Sequence, residues 1–205
     1  MSIHPIAMVA GVPVSSVEVD DAEARLRSAR GAAALPVRGT SEGRQLRRWL
    51  TQLIVTEHVV AAEAEARGVT ASGAPPEAEL LPDVTARLEI GSVAAALLAD
   101  PRARALFADV TAAVRVDDTE VAAYHARNPL RFAASQRGRH GWRTAALVGP
   151  PLAQVRSAIG EHLRGAARRR AFRLWLDARR GELVELAPGY EHPGDPRQPD
   201  NTHRH

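Results

Sequence analysis

Apolar residues recur at helical spacing along most of the chain. In Thr40–Gly68, Leu46, Trp49, Leu50, Leu53, Val60 and Ala64 fall at intervals of three, four and seven, which predicts one long helix. Pro150 and Pro151 open a second long helix. There Leu152, Val155, Ile159, Leu163, Ala167, Ala171, Leu174 and Ala178 follow a 3.6-residue period up to a stop at Gly181.

Shorter helices lie between and before these two. Ser15 and Glu18 have capping-box spacing and start a helix that fades by Arg30, followed by a loop over Gly31–Gly39. Val69–Pro76 is a linker. Pro82 sits in the first turn of a helix running to Ala99. Asp100 and Pro101 cap another helix, through Ala113. Asp117 and Glu120 repeat the capping-box spacing and open a helix to Arg127, which Asn128 and Pro129 stop.

Two segments alternate instead. Ile6–Val14 reads as a short strand and turn broken by Gly11 and Pro13, and Leu183–Leu186 as a terminal strand. Leu130–Gly149 is irregular and rich in Arg and Gly, with Trp142–Val148 as one possible strand. The tail, 187–205, is rich in proline and is expected to be disordered. The fold class is therefore mainly α, with a small ribbon.

Composition removes several chemistries. The 205 residues contain no cysteine, which excludes disulfides, cysteine-ligated metals and thiol nucleophiles. All 27 cationic side chains are arginine. Without lysine there is no Schiff-base chemistry and no phosphate-binding G-x-x-x-x-G-K-[ST] loop. No G-x-S-x-G elbow is present, as acyl transfer through a serine would need. The longest apolar run, Val93–Ala99, is too short to span a bilayer, and no export signal is visible, so a cytoplasmic location is expected.

Net charge is +3, so the isoelectric point of about 10.4 reflects missing lysine and cysteine more than a strongly basic surface. Seven arginines between Arg164 and Arg180 read as a solvated helix face with cations near the C-terminal end of the helix dipole. No nucleic-acid partner is expected, because no reading motif accompanies them.

No histidine has a metal partner at ligand spacing, and no cofactor or metal is expected. Glu57-His58 lacks a second histidine four residues away, and His125 lacks a partner in sequence reach. His203 and His205 lie in the tail without a fixed third ligand. Asp20-Asp21 and Asp117-Asp118 sit at helix starts, where carboxylates satisfy exposed N–H groups. Arg137, Arg139 and His140, beside Trp142, form the one cluster that suggests an anion or ligand site.

The order of segments resembles SurA-like and PrsA-like foldases. VAGVPVSSVEVDDAEARLR resembles their opening strand and capped helix. RQLRRWLTQLIVTEHVVAAEAEARGV resembles the next helix. VDDTEVAAYHARNPLRF resembles the helix before their parvulin domain, and PLAQVRSAIGEHLRGAARRRAFRLWLDARRGELVEL the helix and strand after it. The resemblance implies a helical peptide-binding domain over 1–186, whose N- and C-terminal strands pair as a two-stranded ribbon. Only Ala133–Pro150 lies where the parvulin domain would be, too short to form it, so prolyl isomerase activity is not implied.

The implied function is a chaperone-like module that holds a partner polypeptide. Its candidate groove residues are Trp49, Phe107, Tyr124, Phe132, Trp142 and Trp175. The tail segment APGYEHPGDP also resembles short actinobacterial proteins associated with aromatic polyketide biosynthesis. That likeness implies a biosynthetic enzyme as partner or, as the alternative, a cyclase-type or acyl-transfer accessory using Arg137, Arg139 and His140.

Overall fold

The computed structural model describes residues 5–29, 32–132, 149–188 and 190. It is mainly helical, as the periodicity predicts, with a small antiparallel sheet joining the two ends of the described chain.

The sheet has three strands rather than two. β1 (Pro5–Val9) and β2 (Val12–Ser15) form a hairpin, and β3 (Val184–Leu186) pairs with the other edge of β1. Ala7 lies opposite Leu186 and Val9 opposite Val184, so the expected pairing of the terminal segments is present. The added strand follows from the turn. Ala10 and Gly11 both adopt positive φ (49° and 79°), as a tight two-residue hairpin turn requires. Pro13 is tolerated because β2 is an edge strand, where a missing N–H breaks no ladder.

α1 (Ser16–Ser28) starts with the predicted capping box. The Ser15 N–H donates to Glu18 Oε1 at 2.8 Å while Ser15 Oγ accepts from the first turn. A 3₁₀ turn (Ala32–Ala34) leads to α2 (Ser41–Ala66), capped by Thr40. α2 is the central helix. It packs against β1, α1 and, among the helices that follow, α5 (Ser92–Leu97), α6 (Pro101–Val110) and α8 (Leu152–Leu183). That surround explains why its buried set is wider than one stripe and includes Thr51, Gln52 and Thr56.

The single helix expected from Pro82 to Ala99 is two. α3 (Glu77–Leu80) precedes it, α4 (Val84–Ile90) is capped by Asp83, and the chain breaks at Gly91 before α5. Gly91 has φ +90°, a value incompatible with a continuous helix. Asp100 and Pro101 open α6 as predicted, although it ends at Val110. The second capping box, Asp117 with Glu120, opens α7 (Asp118–Arg127).

The main core joins the sheet, α1, α2, α4–α6 and the C-terminal half of α8. A second cluster, Val121, Val155 and Ile159, joins α7 to the N-terminal half of α8. The α7–α8 pair thus forms an arm on the main body. α8 serves both cores, and its buried face rotates along its length. Val155 and Ile159 face α7, whereas Arg169, Phe172 and Leu176 face the body. The predicted stripe therefore holds only for the first half. Leu174 is exposed, and the helix continues past Gly181 to Leu183.

Candidate functional site

The five described aromatic candidates do not line one groove. Trp49 donates from Nε1 to Ser92 Oγ (3.1 Å), pinning α2 to α5. Phe107 is fully buried against Phe172, with ring centroids 5.0 Å apart, and the Trp175 ring lies 5.5 Å from that of Phe172. Arg67 covers the Trp175 ring. Tyr124 and Phe132 belong to the arm, each within about 6 Å of the His162 ring. Trp142, Arg137, Arg139 and His140 lie outside the described residues, as does most of the 133–150 loop. The biosynthetic reading of that cluster stands as the sequence left it.

A cleft of about 610 Å³ opens where the arm meets the body, between α3–α4 and α8. Its size is in the range of ligand sites. Leu80, Ala86 and Phe107 give it an apolar floor. Of the described aromatic candidates, Phe107 alone reaches it. The remaining walls are charged. Glu79, Asp83 and Glu89 stand on the α3–α4 side. Arg164, Arg168 and Arg169 stand on the α8 side, with Arg131 contributed by the turn after α7.

One ion pair ties the two walls. Arg169 Nε and Nη2 both donate to Glu89 Oε2, at 3.0 and 2.8 Å, and Nη1 donates to the Leu80 carbonyl at 3.3 Å. The Arg169 side chain is only 6% exposed, while that of Glu89 is 40% exposed. Gly165, one turn earlier, leaves the space this guanidinium needs, since a Cβ there would sit 3.2 Å from Nη1. Arg168 turns the other way. It donates to Thr111 Oγ1 (2.8 Å) and covers the Phe107 ring at 5.1 Å. The arginine run is therefore not one solvated face. Arg164, Arg170 and Arg173 are exposed, whereas Arg168, Arg169, Arg179 and Arg180 turn inward onto Thr111, Glu89, Glu63 and Gln52.

His162 is the residue that sequence reasoning missed. Its Nε2 lies 3.3 Å from Tyr124 Oη. Burial, with Arg131 adding to it, holds the ring below the usual histidine range, so it is neutral at pH 7. Its field is mixed, because Glu89 and Asp83 act against Arg131 and Arg169. The sequence signal was its place one turn from Ile159, on the face that packs against α7. His125, in contrast, is occupied locally by the Pro150 carbonyl at 2.9 Å, and His58 by Glu18 at 2.7 Å.

A second charged cluster holds the N-terminal elements together. Glu23 is buried and receives Arg27 (2.8 Å), Arg38 (3.0 Å) and Arg47 (3.2 Å), clamping α1, the following loop and α2. Burial acts to raise its pKa, but the hydrogen bonds from Arg27 and Arg38 outweigh it and hold the carboxyl below the usual range. This cluster is structural, because every cation in it is directed at a carboxylate of the same fold.

A family described as of unknown function (DUF7158) matches residues 5–42, which span the β1–β2 hairpin, α1, the Arg38 loop and the first residues of α2. No curated protein and no solved structure matches the chain. Among the described residues, no helix is long and apolar enough to cross a membrane.

Proposed function

We propose that the chain is a chaperone-like module of the SurA-like type that holds a segment of a partner polypeptide, without prolyl isomerase activity. The observation that carries this reading is the cleft between arm and body. It combines an apolar floor with charged walls, which suits a peptide's mixture of apolar and polar groups. The order of elements also supports it: a capped first helix, a long central helix, and a final helix whose strand returns to β1.

Suppression of aggregation tests the proposal. A chemically denatured client protein is diluted into buffer with equimolar chain, and light scattering is followed. Suppression by the wild type, lost in an Ala158→Trp variant that fills the cleft from an exposed position, is the expected result. Absence of suppression, or suppression that survives cleft filling, would remove the cleft reading. Measurable proline isomerase turnover would overturn the non-catalytic part.

A further inference from the structure

The two walls of the cleft carry opposite and uncompensated charge. Arg169 and Glu89 neutralise one another across it. Glu79 on the α3–α4 wall, and Arg131 and Arg164 on the α8 side, make no ion pair with any described residue; Asp83 Oδ1 accepts from the Ala86 N–H as the cap of α4, and Arg168 is taken up by Thr111 and the Phe107 ring. Glu161 is the one carboxylate lining the α8 side, where it meets Ser157 at 3.4 Å. His162 lies at the seam, within the fields of Asp83 and Glu89 from one wall and of Arg131 and Arg169 from the other.

Walls held apart in this way discriminate by charge arrangement. A purely acidic ligand is attracted to α8 and repelled by Glu79 and Asp83, and a purely basic one meets the reverse. A ligand that is anionic on one side and cationic on the other satisfies both. In an extended polypeptide successive side chains point to opposite faces, so acidic and basic residues that alternate in sequence segregate onto opposite sides.

We infer that the cleft selects extended polypeptide segments in which acidic and basic residues alternate, the carboxylates facing Arg131 and Arg164 and the cations facing Glu79 and Asp83. This rests on the reading of the cleft as a polypeptide site and adds the class of segment it takes. Charge order, rather than net charge, is the recognised property.

Three fluorescein-labelled peptides of equal length test it by anisotropy at low salt. One alternates glutamate and lysine. The second has the same composition arranged as glutamate pairs and lysine pairs, which mixes both signs on each face. The third carries glutamine at every charged position. The alternating peptide is expected to bind about fivefold tighter than the other two, a ratio that salt erodes. In an E79R/R164E double variant, with both substituted side chains exposed, that ratio should fall to about one.

Equal affinity of all three peptides, abolished by Ala158→Trp, would overturn the charge-order inference while leaving the polypeptide reading intact. Preference for the alternating peptide that persists in E79R/R164E would also overturn it. Failure of all three to bind would remove the polypeptide reading of the cleft and the inference with it.

Discussion

The Arg169–Glu89 pair sets the position of one cleft wall on the other, and its two ends are not equivalent. Glu89→Ala strands a guanidinium that is 6% exposed, leaving it only the Leu80 carbonyl. Removing one partner of a fully buried pair costs about 3–5 kcal/mol. Glu89 is 40% exposed, so water reaches the vacated side, and the expected cost falls to about 2–3 kcal/mol. Arg169→Met keeps most of the apolar stem and deletes the buried charge. It frees Glu89 to hydrate and leaves the Leu80 carbonyl short of a donor, at about 1 kcal/mol. The double variant is then expected to be more stable than Glu89→Ala alone, because it no longer buries an unpaired cation. Urea denaturation at pH 7 measures all three. For a chain of this length each kcal/mol corresponds to about 3 °C in Tm. An Arg169→Met variant as damaged as Glu89→Ala, or a double variant worse than both, would refute the assignment of the cost to desolvated charge.

Four further outcomes follow from local geometry. Gly43→Ala is expected to destabilise by about 2 kcal/mol or more, since its Cβ would collide with the Val37 carbonyl, a backbone atom with little freedom to move. Gly181→Ala, inside α8 with open space around it, should instead stabilise by up to about 1 kcal/mol, and urea midpoints distinguish the two. In Glu18, burial raises the pKa but the Ser15 N–H and His58 hold it below the usual value, and Glu23 is likewise lowered. Their stabilisation is therefore present above the unfolded carboxylate pKa, about 4.5, and is lost as pH falls from there through the lower folded value, so Glu23→Gln should flatten the acid limb of a circular-dichroism titration. His162 has the same sign in a higher pH window. Its folded ring resists protonation, so stability is intact above the unfolded value of about 6.5 and declines below it, and His162→Phe should shrink the loss of Tm between about pH 7.5 and 5.5.

Much of the fold was legible because its signals are local. Both capping boxes, Ser15–Glu18 and Asp117–Glu120, form as their spacing predicts, and Asp100 and Pro101 begin α6. The pairing of β1 with β3 came from the resemblance to SurA-like foldases, since a three-residue strand has little pattern of its own. Non-local packing was the part that could not be read. A 3.6-residue stripe assumes one partner surface, but α8 has two, so Leu174 came out exposed while Arg169 is buried.

The candidate site was less legible than the fold. Large aromatics were natural groove candidates, yet Phe107 and Trp175 pack with Phe172 in and against the core. The cleft is built from short, polar and charged positions on four separate segments, which converge only in three dimensions. Arg169 did carry a sequence signal: it lies three and seven residues before Phe172 and Leu176, on the buried face of the helix. His162 carried a similar one beside Ile159.

Photocrosslinking from inside the cleft tests the central claim most directly. A photoreactive phenylalanine analogue replaces Ala158 or Thr85 within the cleft, or Arg173 on the exposed outer face of α8, in the presence of a denatured client. Client peptides attached at positions 158 and 85 and absent from 173 are the predicted result. Attachment at all three positions alike, or at 173 alone, would contradict a polypeptide-binding cleft.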